Sequence, residues 1–177
     1  MNIYLTSGTK DFMETLRKRY LNETLIVMHG DGNSVLLHET EGKSFFQTPR
    51  RYEVVSAIGA LNEEGFFAFN NIPVSEEGRP IFEHRLQSKI GKIEEEPGFV
   101  AFRLLRPLKS DTFIVLTQWE TSAFFDSWKN TDTYHQVHES NESGASLDRM
   151  PHIFSSAAYV TTYITKHDPD EDTDENV

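Results

Sequence analysis

Residues 112–138 read TFIVLTQWETSAFFDSWKNTDTYHQVH, and the order of residue types in this stretch decides the fold. Thr112–Trp119 is an unbroken apolar and β-branched run, the composition of a buried strand. Thr121 can then cap a helix whose inward side carries Phe124, Phe125 and Trp128. Thr131 and Asp132 offer a second cap, so the helix is expected to break there and restart through Tyr134 to His138. A Trp on one short helix and a His on the next can point into one cleft, a geometry suited to a flat aromatic ligand.

Upstream of this stretch, Phe66–Val74 reads as a strand, with Pro73 marking an edge or an end. A helix near Pro80 buries Phe82, Leu86 and Ile90, and Pro97-Gly98 turns the chain into a strand over Phe99–Leu105. A last strand is expected over Ala157–Thr165, after the long polar loop 139–156. The first half has a similar order. Residues 2–6 form a strand, and Thr9 caps a helix with Phe12, Leu16 and Tyr20 on one side. Strands at 23–29 and 34–39 flank a Gly30-Asp31-Gly32-Asn33 hairpin turn. A short strand at 43–47 and a helix opening at Thr48-Pro49 through Tyr52, Val55 and Ile58 complete it. The fold class is therefore α+β: two ferredoxin-like β-α-β-β-α-β halves, 1–62 and 63–166, followed by a tail at 167–177.

The chain has 177 residues, 21 aromatics among them, enough for a real core. The absence of cysteine excludes disulfides, thiolate ligands and iron–sulfur clusters. The net charge of −11 argues against nucleic acid, whose binding needs clustered bases. Six of the acids sit in the last ten residues, DPDEDTDENV, which read as a disordered, solubilising end. No stretch approaches a membrane span, and MNIYLTSGTKDF has no signal-peptide pattern, so the expected location is cytoplasmic.

The pattern TQWETSAFFDSWKNTDTYHQVH resembles the strand–helix segment of the antibiotic biosynthesis monooxygenase (ABM) superfamily. The separation of Trp128 and His138 resembles its IsdG-type heme-degrading branch, as does the Asn in FFAFNNIPV, and the extra N-terminal half resembles the two-part HmoB/TRAP-like subfamily. The resemblance implies that the two halves form a dimeric-alpha-beta-barrel arrangement within one chain, as a monomer. The N-terminal half would be the pseudo-partner. It further implies heme as substrate and cofactor, cleaved with release of iron, and O2 and an electron-donating reductase as co-reactants. In that reading His138 ligates the iron, Asn70 hydrogen-bonds the oxygen ligand and Trp128 distorts the ring. Two other readings stay open: a stress or signalling protein without enzymatic activity, and a cofactor-free monooxygenase acting on an aromatic polyketide.

Each candidate residue also has a plainer explanation. His138 alone is a helix-end residue, with His135 as a competing ligand; no third ligand stands at helical spacing for a directly bound metal. Trp128 alone is a core residue. Asn70 alone is a polar residue near a strand end, and a one-residue slip would turn Asn71 inward instead. Arg149 and His152 of the long loop could meet heme propionates or belong to a surface loop.

Overall fold

A computed structural model describes residues 1–135 and 153–165 of the chain. Eight strands are present: β1 (Asn2–Gly8), β2 (Leu25–His29), β3 (Ser34–Thr40), β4 (Arg50–Ile58), β5 (Phe66–Pro73), β6 (Phe99–Pro107), β7 (Thr112–Trp119) and β8 (Tyr159–Ile164). Among the described residues they are accompanied by the helices α1 (Lys10–Arg19), α2 (Arg79–Lys89) and α3 (Ser122–Lys129) and a 3-10 turn at Ile93–Glu95. The strands close into one barrel in the order β1-β3-β2-β8-β5-β7-β6-β4, with all pairs antiparallel. Within each half the order is fourth, first, third, second, so each half supplies one ferredoxin-like sheet. The two seams between halves differ. Six residue pairs join β4 to β6, from Tyr52↔Pro107 to Ile58↔Phe102, whereas β2 meets β8 only at His29↔Ile164.

Alternation along the strands sorts the core into layers. Phe67 and Phe69 of β5 point into the barrel with Ile3, Leu5, Ile26, Leu37, Ile114 and Leu116. Ala68 and Ile72 point outward, beneath Phe82 and Leu86 of α2 and Phe125 and Trp128 of α3. On the N-terminal half, Met13 of α1 covers Leu25, Val27 and Leu36. The expected α1 stripe is thus shifted: Met13 is fully buried, Leu16 and Tyr20 are partly buried, and Phe12 is 58% exposed. Thr9 caps this helix as expected, accepting from the Phe12 amide at 3.4 Å. The hairpin turn at 30–33 also forms, with Gly32 at φ +89° and Gly30 N–H donating to the Asn33 carbonyl at 2.8 Å.

The helix expected from Thr48 is instead the strand β4. A β-bulge between Val54 and Ser56 explains the false helical spacing. Tyr52 and Val54 face the barrel core before the bulge, and Val55 and Ile58 pack against the outer cluster after it. The short strand expected at 43–47 is not formed. There Phe45 stacks on Tyr20 with ring centroids 3.9 Å apart and meets Phe46 edge-on at 5.0 Å. The N-terminal half therefore has one helix, and this aromatic turn covers part of its outer face near His38.

A buried charge ties the halves together. Arg103 of β6 is 5% exposed; its Nε donates to Glu39 Oε2 of β3 at 2.8 Å. Its Nη1 donates to the carbonyls of Gly59 and Phe102, each at 2.8 Å. Gln118 fixes the connector between β4 and β5, donating to the carbonyls of Asn62 and Glu64 and accepting from the Asn62 amide.

Candidate functional site

The outward face of β5 carries Asn70 between Ala68 and Ile72, in register with Val115 of β7 and Val160 of β8. A polar side chain in such a layer must find partners or bear the cost of desolvation. Asn71, on the opposite face, is well satisfied. Its Nδ2 donates to the carbonyls of Phe69 (3.1 Å) and Tyr159 (3.2 Å) and to Thr161 Oγ1 (3.2 Å). Asn70 is equally buried, 6% exposed, yet its Nδ2 has no hydrogen-bond partner among the described residues. The register thus sets Asn71 into the barrel and Asn70 toward α3.

Above Asn70 lies a narrow cleft of about 10 Å³ lined by Thr117, Phe125, Trp128, Tyr134 and Val160. Trp128 is 2% exposed; its ring lies 5.1 Å from that of Trp119 and meets Tyr134 edge-on at 5.0 Å. Trp119 is entirely core, with its Nε1–H donating to Thr117 Oγ1 at 3.0 Å. Thr121 occupies the N-cap position of α3 but makes no side-chain cap bond. The break after α3 is as the sequence suggests. Thr131 Oγ1 donates to the Trp128 carbonyl at 2.7 Å and accepts from the Tyr134 amide at 3.3 Å, and helical geometry resumes at Asp132. His135 is exposed. His138, Arg149 and His152 lie outside the described residues. Of the sequence candidates, the structure brings Asn70 and Trp128 together. Sequence reasoning missed Tyr134 and Val160 as cleft walls; the strand alternation that places Val160 opposite Asn70 was the available signal.

The chain rejoins the sheet beside this cleft. Phe154 bridges to Val74, the Ser75 amide donates to the Ile153 carbonyl at 2.7 Å, and Ser155 Oγ donates to Asp111 Oδ2 at 2.7 Å. The Ser155 and Thr112 hydroxyls hold the Asp111 carboxyl below the ordinary carboxylate range. A depressed folded pKa adds stability that is complete above the unfolded value, about 3.9. That contribution is lost as pH falls through the lower folded value. Ser155→Ala is therefore expected to soften the acid dependence of unfolding below about pH 4. Identical acid titration of variant and wild type would show that this bond is not coupled to folding.

The family model described as antibiotic biosynthesis monooxygenase matches residues 58–140, the span from the end of β4 past α3. The match covers a little less than half of the chain. The chain is similar to the signal transduction protein TRAP of Staphylococcus epidermidis, 23% identical over 94% of this chain and 96% of that protein. It is also similar to a heme-degrading monooxygenase of Listeria monocytogenes, 24% identical over 76% of this chain and 81% of that protein. Among solved structures, one described as a major regulator of staphylococcal pathogenesis superposes with a TM-score of 0.81 at 24% identity, covering 94% of this chain and all of that one. The matching stretch thus takes in the end of β4 and then β5, α2, β6, β7 and α3 of the barrel's second half.

Proposed function

We propose that the chain binds heme in the cleft beside Asn70 and Trp128 and degrades it oxidatively, with O2 and an external electron donor, releasing iron. The observation that carries this reading is the Asn70 amide, a buried donor without a partner among the described residues, aimed into an aromatic cleft. Leaving such a group unpaired costs about 1–3 kcal/mol. An acceptor atom on a bound ligand would recover it. Bound heme would supply the iron centre at which oxygen is activated. The protein's part would be to hold the ring against Trp128, to offer the Asn70 N–H as a hydrogen-bond donor, and to exclude water through Phe125 and Val115. His138 would ligate the heme iron and Arg149 would pair with a propionate. The barrel closes within one chain, so a monomer suffices, with the acidic tail and cytoplasmic setting read from the sequence.

The space above Asn70, about 10 Å³, is far below the roughly 300–1,000 Å³ of ordinary ligand sites. Heme entry therefore requires Tyr134 to leave the edge of Trp128. Val160, 44% exposed, gives the ring an apolar shelf on the open side.

A second reading is a signalling role without catalysis, favoured by the likeness to TRAP across 94% of the chain. It leaves the Asn70 donor and its aromatic surroundings without a purpose. Heme titration of wild type, His138→Ala and Asn70→Ala by absorption spectroscopy, followed by ascorbate in air, separates the two. The expected result is a saturable Soret band at equimolar heme that weakens in His138→Ala and is lost on reduction with iron release. Asn70→Ala should keep binding while turnover slows by about 100-fold, the cost of losing one donor to a developing charge. A wild-type protein that takes up no heme would remove the enzymatic reading.

A further inference from the structure

Arg17, Lys92, Arg103, Arg106 and Lys129 each lie against a carboxylate. Arg50 and Arg51, at the start of β4, and Lys109, in the β6–β7 turn, have no carboxylate partner among the described residues, and all three line one groove. The groove is a concave space of about 550 Å³, open to solvent, far larger than the cleft beside Asn70. Its walls are built rather than incidental. Tyr52 pairs with Pro107 across the β4–β6 seam, and the Leu108 amide donates to the Arg51 carbonyl at 3.2 Å. Arg79 donates to the carbonyls of Pro107 (3.3 Å) and Ser110 (2.6 Å), which fixes the turn that carries Lys109.

The side chains in the groove keep their charge available. The Arg51 guanidinium lies 5.8 Å from the Tyr4 ring centroid, and Arg50 meets only neutral hydroxyls, Ser7 Oγ at 3.5 Å and that of Tyr52. The carboxylates in sequence nearest them are engaged elsewhere: Glu53 by Arg106, and Asp111 by Ser155 and Thr112. Pro49 and the 43% exposed Leu108 add apolar wall between the cations. In a chain of net charge −11, three unneutralised cations around one apolar concavity call for an anion. Guanidinium groups grip phosphate with paired N–H donors and stack on planar rings. Three cations are too few for a nucleic-acid backbone tract, whose affinity comes from many phosphate contacts.

We propose that this groove binds a small planar ring bearing a phosphate, an anion of mononucleotide size. The site is separate from the cleft of Asn70 and Trp128, and the inference stands whether or not heme is the substrate there. The test is a fluorescence titration of the full heme-free chain with flavin mononucleotide. Riboflavin and inorganic pyrophosphate are run alongside, and Arg50→Gln, Arg51→Gln and Lys109→Gln are compared with wild type. Saturable binding is expected, displaced by pyrophosphate and about tenfold weaker for riboflavin, which lacks the charge. Each Arg variant should bind about tenfold less tightly, with an unchanged thermal unfolding transition because these side chains are exposed. The proposal is overturned if flavin mononucleotide shows no saturable binding, if riboflavin binds equally well, or if the Arg variants bind like wild type.

Discussion

Arg103→Met is expected to lower the unfolding free energy by about 3–5 kcal/mol in chemical denaturation, the usual penalty for removing one member of a buried ion pair. The cause is what the substitution leaves behind. Glu39 is 16% exposed at its side chain and would lose its 2.8 Å partner. The carbonyls of Ile58 and Gly59, at the end of β4, would lose a common donor. Removing both charges should cost less than removing one, because the desolvation of the pair nearly offsets its attraction. Arg103→Met with Glu39→Met is thus expected to recover much of the stability. If the double variant is as unstable as Arg103→Met alone, the carbonyl bonds at 58 and 59 outweigh the ion pair.

Gly98→Ala is expected to destabilise by about 3 kcal/mol, and this change should also be felt in the cleft. Gly98 turns the chain into β6 at φ +75°, a left-handed conformation that costs an L-residue roughly 1–2 kcal/mol. A Cβ there would also overlap the ring and Cβ of Phe124, and overpacking of that kind costs about 1–3 kcal/mol. Phe124 belongs to α3 and lies one turn before Trp128, which packs against Trp119. Relief by moving α3 would carry Trp128 away from Asn70. The expected signature is a changed near-ultraviolet signal from the paired indoles together with a lower heme affinity in the titration above. A destabilised variant with unchanged heme affinity would mean that the turn, not the helix, absorbs the overlap.

The C-terminal half was legible because its local signals agree with its tertiary role. Pro73 ends β5, Pro97-Gly98 opens β6, and the Phe82–Leu86–Ile90 spacing marks α2. Residues 48–59 misled because Thr48-Pro49 imitates a helix start and the bulge after Val54 imitates helical periodicity. What makes this segment a strand is distant in sequence: it lies between β1 and β6, whose edges would otherwise be unpaired. At the site, a polar residue in an apolar strand was visible as an anomaly at 70 and 71. Which of the two meets α3 depends on pairing with β7 and β8, which a single strand does not encode. Tyr134 was visible only as part of a restarted helix; its edge-on contact with Trp128 depends on the fold.

The unequal seams have a consequence for how the barrel responds to dilution. A barrel made from two separate chains needs both seams to resist dissociation. Here residues 59–65 tether one sheet to the other, so β2 and β8 meet as if at millimolar effective concentration. A junction of one residue pair is then enough, since each opening recloses before the sheets can drift apart. The unfolding midpoint should therefore be the same in dilute and concentrated solution, while amides at the ends of β2 and β8 exchange with solvent well before those along β4 and β6.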